Sequence, residues 1–344
     1  MPIGLDLGTH NFKAVELKQE KGRIELLRFG LYENPKINLN SESKDGLIVY
    51  AAAIREFFAQ VNFSSKAVSS ALPESEVFTR VIKVPQMSEK ELKSSITFEA
   101  EQYIPLPLKE VSFDFEVIDS DLAEKDKMNV LLVAAKNSVL NKYVEIIKGA
   151  NLTPQGLEPE TLSVARALGD SEARPSGSLI VNINSEDSQI IIVHKGHVRF
   201  TRSMSVGGES LTRAVSQSLN LDLAQAEEYK KTYGLESNQA DGKVSAALRP
   251  IFDNVLMETK RSKVFYTTHN PNVMIDRIVI CGGTALMPGL LFYMANNLDL
   301  EVELANPWRN VVFSSQVEKQ KEALARTAPA FVTAVGLALK DLKV

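Results

Sequence analysis

Gly4-Leu5-Asp6-Leu7-Gly8-Thr9-His10-Asn11-Phe12-Lys13 is the stretch on which the fold turns. Apolar residues run into an acid and a glycine, a hydroxyl follows, and strand-like alternation resumes at Phe12, Ala14 and Val15. The pattern predicts a strand–turn–strand whose turn offers backbone N–H groups, a hydroxyl and an ammonium to a phosphate chain. Asp6 would face the accompanying metal through water, because magnesium keeps most of its hydration shell. Many hairpins carry Gly and Thr at the turn, so an ordinary hairpin is the alternative.

The pattern returns in the second half. Leu179-Ile180-Val181-Asn182-Ile183-Asn184-Ser185, a short acidic turn and Ile190-Ile191-Ile192-Val193 repeat it. Asn182 stands where Asp6 stood, Asn184 where Gly8 stood and Ser185 where Thr9 stood. A second turn, Lys195-Gly196, precedes Val198 and Phe200 as Lys21-Gly22 precedes Ile24 and Leu26. Such a repeat predicts two similar lobes, each with its own phosphate loop; chance similarity of two hairpins is the competing explanation. A length of 344 residues leaves room for two cores.

Between the hairpins, Leu47, Ala51, Ile54, Phe58 and Val61 recur at helical spacing. Val77, Thr79 and Val81 alternate as a strand that stops at Pro85. Ser88 and Glu91 form a capping box that opens a helix through Leu92, Ile96, Ala100 and Tyr103, ended by Pro105. Phe113–Ile118 and Asn129–Lys136 read as paired strands around a charged loop, Asp119–Asp126. The segment from about 85 to 150 is thus expected to be an inserted strand–helix–strand–strand–helix unit. Ser171–Ser178 reads as a linker.

Composition narrows the function. A net charge of −4 gives no basic field, so nucleic acid is not expected as the main partner. The single cysteine, Cys281, excludes internal disulfides and Cys-based zinc sites, and suits a reducing compartment. Four scattered histidines lack metal-ligand spacing. No signal peptide is visible, and the longest apolar runs fall far short of the ~18 residues that span a bilayer. A cytoplasmic protein is expected.

Ile278-Val279-Ile280-Cys281-Gly282-Gly283-Thr284 reads as a buried strand whose glycines let the backbone pass close to something flat or phosphorylated. A tight strand-to-helix turn is the alternative. Glu258 and Arg261, three apart, lie on one face of a helix that also carries Val255, Leu256 and Phe265; a solvated ion-paired face is the alternative.

Together these pieces resemble the actin-like ATPase superfamily: phosphate loop, connecting helix, second phosphate loop, adenosine loop and second connecting helix follow in that order. The connecting helices resemble Glu158–Leu168 and Pro329–Leu339, whose small residues permit the close crossing that a hinge needs. Within the superfamily the chain is similar to the PilM family of type IV pilus machines. Lys13–Leu17, Val84–Leu92, Phe98–Pro105, Val206–Thr212, Ala226–Lys231 and Arg261-Ser262 followed by Phe265-Tyr266 carry this likeness.

The resemblance implies an α/β, actin-like ATPase fold of two pseudo-duplicated lobes with an FtsA-type inserted subdomain. Its implied parts are 1–84 (lobe I core), 85–152 (inserted subdomain), 153–176 (connecting helix and linker), 177–210 and 276–326 (lobe II core), 211–275 (lobe II subdomain) and 327–344 (returning helix). It implies ATP and Mg2+ as cofactors. Asp6 and Glu158 would hold the hydrated metal, with Glu158 the candidate catalytic residue. Gly8, Thr9, Asn11 and Lys13 would embrace phosphates, joined by Asn184, Ser185, Gly207 and Gly208. Gly282, Gly283 and Thr284 would pass under the adenosine, Glu258 would bond ribose and Arg261 would stack on adenine.

The implied partner is the N-terminal cytoplasmic segment of the inner-membrane protein PilN. Glu99, Gln102, Tyr103 and Ile104 are the groove candidates; core packing is the alternative for Tyr103 and Ile104. Pilus motor components, membrane contact only through partners, and a homo-oligomer or ring belong to the same picture. The second loop departs from the family at Asn182: a neutral amide neither holds the metal's water shell nor accepts a proton. Loss of a general base costs about 10²–10⁴-fold in rate, so ATP binding with slow or absent hydrolysis is expected. An FtsA-like membrane filament and a small-molecule kinase are the alternatives.

Overall fold

The computed structural model describes residues 1–34, 44–118, 126–169 and 176–342. Most of the expected charged loop, the linker as far as Pro175 and the last two residues of the chain lie outside them.

In chain order the first half comprises β1 (Ile3–Leu7), β2 (Asn11–Glu20), β3 (Arg23–Glu33), α1 (Lys44–Val61), β4 (Ala67–Leu72), β5 (Val77–Pro85), α2 (Glu89–Glu101), β6 (Val111–Ile118), β7 (Lys127–Lys136), α3 (Asn137–Gly149), β8 (Thr153–Pro159) and α4 (Glu160–Leu168). The second half adds β9 (Gly177–Ile183), β10 (Ser188–His194), β11 (His197–Met204), α5 (Gly208–Leu219), α6 (Leu223–Tyr233), α7 (Lys243–His269), β12 (Ile275–Cys281), α8 (Leu290–Asn297), β13 (Glu301–Leu304), β14 (Val311–Phe313), α9 (Ser315–Glu318), α10 (Lys321–Thr327) and α11 (Val332–Ala338).

The duplication is visible in the sheets. One is ordered β14-β3-β2-β1-β4-β8 and another β11-β10-β9-β12-β13. Each begins with an antiparallel three-strand meander and continues with parallel strands. Even the turns match: Lys21 and Gly22 have φ of 51° and 76°, Lys195 and Gly196 of 52° and 77°. Two successive positive φ values suit the right-handed twist of a tight hairpin. Asp6 pairs across its hairpin with Lys13, and Asn182 across its own with Gln189.

β9 and β10 are buried along their whole length, with runs of Leu, Ile and Val at their centres, because both faces of their sheet are covered. Leu179, Val181, Ile190 and Ile192 pack towards α5, α7 and α8. Ile180, Ile191 and Val193 pack on the other side with Val164 of α4 and with Ile118 and Leu131 of the inserted sheet.

The inserted unit differs from the expected one at both ends. Its sheet, β5-β7-β6, starts at Val77, and α2 covers it from the predicted Ser88–Glu91 capping box. Leu92, Ile96 and Ala100 are buried there. α3, expected in the insert, instead sets Val139, Tyr143, Ile146 and Ile147 into the lobe I core with Tyr50, Ile54 and Phe57 of α1. Residues 153–159, expected to begin a helix and linker region, form β8, which pairs in parallel with β4. β14, expected within lobe II, pairs with Ile24–Leu26 of β3. It is drawn there by Trp308 and Phe313, which pack with Phe29 and Phe331 in a lobe I core.

The two connecting helices cross at small residues. A Cβ added at Gly336 of α11 would lie 1.8 Å from the Ser163 carbonyl oxygen of α4, and one at Gly4 of β1 would lie 1.9 Å from the Ala334 oxygen.

Candidate functional site

The first hairpin is held ready by its own charges. Lys13 Nζ lies 2.9 Å from Asp6 Oδ2, each side chain only 14% exposed. A Cβ at Gly8 would lie 2.8 Å from the Asn11 carbonyl oxygen, so the tightness of the turn requires glycine there. Buried Asn34 braces the turn: its Nδ2 donates to Gly8 O at 3.1 Å and its amide to His10 O at 2.8 Å. His10 reaches 3.7 Å from Glu209 of α5, so the two lobes approach each other at this loop.

The second hairpin loop gathers most of the residues expected around it. The Asn184 carbonyl accepts from the Gly208 amide at 2.9 Å and from Thr284 Oγ1 at 3.1 Å, and the Ser185 carbonyl accepts from the Glu209 amide at 2.8 Å. Gly207 must be glycine, since a Cβ there would be 2.6 Å from Ser185 O and 2.7 Å from the Asp187 nitrogen. Asn184, Ser185, Gly208 and Thr284 therefore belong to one hydrogen-bonded cluster, with Gly207 packed closely against it.

The acid that closes this cluster is Glu160, and Glu158 is not in it. Glu158, next to last in β8, turns its charge to Arg166, whose two terminal nitrogens lie 2.5 and 3.0 Å away, and to Lys340 at 3.3 Å. Two residues on, Glu160 opens α4 and its carboxylate turns to lobe II. It accepts from Gln189 Nε2 at 2.6 Å, Asn184 Nδ2 at 3.0 Å, Asn182 Nδ2 at 3.2 Å and Thr333 Oγ1 at 3.1 Å. Burial, followed by the negative charges of Asp187 and Asp6, pushes its carboxyl up to about 7. Among the described residues no three His, Cys, Asp or Glu converge closely enough to hold a bare ion. A cation in this cleft would have to be met through water or phosphate oxygens.

This acid carries a pH signature. A carboxyl with a raised native pKa binds more protons folded than unfolded between its ordinary value near 4.5 and about 7, so stability falls as pH rises through that window and levels off above it. The thermal midpoint of the ligand-free protein is therefore expected to drop by on the order of a few degrees between pH 5 and pH 7.5. Glu160→Gln should remove part of the drop in differential scanning fluorimetry, the rest belonging to Glu74, whose carboxyl burial likewise pushes up to about 7; an unchanged slope would place the titration elsewhere.

After β12, Gly282 adopts φ +89°, which a side chain rarely tolerates, and a Cβ on Gly283 would meet nothing within 4 Å. The backbone there faces open space. Beside it, buried Lys230 donates to Gly208 O at 3.0 Å, Thr212 Oγ1 at 2.9 Å and Glu227 Oε2 at 2.6 Å. Burial lowers the pKa of Lys230; in Glu227 burial acts upward but the bonds from Lys230 and Thr212 outweigh it, leaving that carboxyl lowered. Glu258 and Arg261 are not brought here. Glu258 is held by Arg202 on β11 and faces Arg261 at 3.7 Å. β11 is three strands from β12 in its sheet, about 14 Å at ordinary strand spacing.

Of the groove candidates, Gln102 is exposed, Glu99 and Tyr103 are half-buried, and Arg80 lies over the Tyr103 ring at 5.6 Å. Ile104 is core: 6% exposed, it packs with Ile82, Val84, Leu92 and Val111.

Sequence reading missed Asn34, Glu160, Gln189, Glu227 and Lys230. The signal for Gln189 was available, since it sits seven residues after Asn182 as Lys13 does after Asp6.

The fold has counterparts. A chain of the PilM–PilN type IV pilus biogenesis complex superposes with a TM-score of 0.85 at 26% identity, covering 100% of this chain and 99% of that one. MreB5 of Spiroplasma citri bound to AMPPNP gives a TM-score of 0.53 at 14% identity over 98% of this chain and 95% of its own, a likeness of fold alone. Cell division protein FtsA of Neisseria meningitidis serogroup B is 23% identical over 260 residues, 64% of this chain; the match spans 58% of FtsA's length. The architecture is thus the actin-like ATPase fold. Among the described residues no helix is long and apolar enough to cross a membrane. The model of the type IV pilus assembly protein PilM matches residues 4–342, and the chain belongs to that family.

Proposed function

We propose that this PilM-family protein is a nucleotide-binding cytoplasmic scaffold of the pilus machine, docked at the inner membrane by the N-terminal cytoplasmic segment of PilN and linked to the motor. The observation that carries the reading is the end-to-end superposition on a chain of the PilM–PilN complex. The residues fit a nucleotide: the ammonium of Lys13 lies beside the tight Gly8 turn, and a Cβ on Gly283 would meet nothing within 4 Å. Lys13, Gly8, Thr9 and Asn11 would meet the phosphates, and Asp6 and Glu160 the hydrated metal. Gly208, Gly282 and Gly283, with Lys230 and Glu227, would border the nucleoside. A bound metal would supply charge neutralisation of the phosphates.

This chain's own groups favour holding over turnover. Asn182 cannot accept a proton, and Glu160 is tied by four donors in the ligand-free cleft. ATP titration monitored by calorimetry, with and without a peptide of the PilN segment, tests both halves. Lys13→Ala should weaken ATP by about 10- to 100-fold, the loss of one charge-assisted contact. Steady-state phosphate release should be at background; turnover like that of a sugar kinase would overturn the scaffold reading.

A further inference from the structure

Glu74 is a buried acid with no place in the reading above. It follows β4 by two residues and opens the short turn Glu74–Glu76 that leads straight into β5, the first strand of the inserted sheet. Its side chain, in a residue 8% exposed, turns inward. Glu74 Oε2 accepts from Thr161 Oγ1 at 2.9 Å, and the Thr161 amide bonds the same carboxyl.

Thr161 is the second residue of α4, directly after Glu160. The residue preceding α4, Pro159, offers no side-chain cap. Glu74 supplies the missing cap from outside the helix, placing a carboxylate at the positive end of its dipole. The N-terminus of α4 is therefore gripped from two sides. Glu160 ties it to Asn182, Asn184 and Gln189 of lobe II, and Glu74 ties it to the root of the inserted sheet, whose Thr79 hydroxyl is buried beside the same carboxyl. Asp187 of the second hairpin pushes the carboxyls of both Glu74 and Glu160 upward, so charge in the cleft is felt at both.

We propose that Glu74 is a positioning residue that couples occupancy of the cleft to the set of the inserted sheet, through its bonds to Thr161 at the start of α4. When a nucleotide and its cation draw Glu160 from its amide partners, the first turn of α4 shifts. Thr161 then carries Glu74 and the base of β5 with it. The insert is also where a peptide partner is expected, so the coupling rests on the proposed nucleotide and PilN-segment sites.

The test measures the affinity of the full chain for a PilN-segment peptide by fluorescence anisotropy, without and with saturating Mg2+ and a non-hydrolysable ATP analogue. The wild type should show affinities differing by about five-fold or more, the lower range of measured couplings. In Glu74→Ala and Thr161→Val the ratio should fall to within two-fold of unity, with each ligand alone binding within about three-fold of wild type. Glu74→Gln keeps an acceptor for Thr161 and should restore the ratio. Should Glu74→Ala not fold, Thr161→Val, which deletes the hydroxyl donor and leaves the backbone amide, carries the same comparison. An unchanged ratio in Thr161→Val, or a wild-type ratio of one with both ligands binding, overturns the coupling while leaving the scaffold reading intact. Failure of either ligand to bind wild type overturns both.

Discussion

Gly336→Ala is expected to destabilise the protein by at least about 3 kcal/mol, among the largest effects of any single methyl group here. The added carbon would lie 1.8 Å from the Ser163 carbonyl oxygen, 2.5 Å from its carbon and 3.0 Å from its Cα. All three are backbone atoms of α4, so no rotamer change relieves the clash and α4 and α11 must separate. Separation pulls on both lobes. Arg166 would lose its 2.9 Å bond to the Gly336 carbonyl, and Thr333 its bond to Glu160. Urea unfolding followed by far-UV circular dichroism measures the loss. Gly283→Ala is the contrast: with nothing within 4 Å of its Cβ it should unfold within about 1 kcal/mol of wild type. Equal midpoints for the two variants would mean that the helices do not cross as closely as described.

The hairpins and the duplication were legible in the sequence because their signals are local. Period-two alternation and paired Lys-Gly turns repeat at nearly constant spacing, and the structure turns them into matched φ values and matched registers. β8 was not legible. Thr153-Pro154-Gln155-Gly156-Leu157-Glu158-Pro159 holds two prolines and a glycine and reads as a loop. It forms a strand because it lies at the edge of its sheet, where only one side needs ladder bonds and proline is tolerated.

That one missed strand displaced the reading of the site. The family resemblance places the metal-facing acid at Glu158, in a helix taken to begin there. With β8 running to Pro159, the helix starts two residues later and Glu160 takes the cleft, while Glu158 faces Arg166 and Lys340. Ala226–Lys231 carries family likeness but no local chemical signal, because Glu227, Glu228, Lys230 and Lys231 have the pattern of a solvated helical face. Only the packing of α5 on α6 reveals that Lys230 is buried under Gly208.

Asn182→Asp should destabilise the ligand-free protein by about 2–4 kcal/mol at pH 7.5, and the reason lies in how the two hairpins differ. In the first, the acid at Asp6 faces an ammonium across the ladder at Lys13, and the pair neutralises itself. In the second, the residue across the ladder is the neutral Gln189, and the charge comes from a helix instead. Asn182 Nδ2 donates to Glu160 Oε1 and Gln189 Oε1, both at 3.2 Å, while its Oδ1 faces the buried Cys281 thiol at 3.4 Å. An aspartate would turn that donor into a second acceptor against a carboxylate already crowded by Asp187 and Asp6. Two buried carboxylates at that distance share a proton rather than both ionise. Most of the loss should therefore be regained at pH 5, as urea midpoints at the two pH values would register. Adding Gln189→Lys should rebuild the ion pair of the first hairpin and recover stability at pH 7.5 non-additively. Full stability of Asn182→Asp alone at pH 7.5 would mean that the amide is not needed to satisfy Glu160. The expected outcome says the reverse: in this lobe the duplicated hairpin has given up its own acid, and an acid restored there would compete with Glu160 for the same donors.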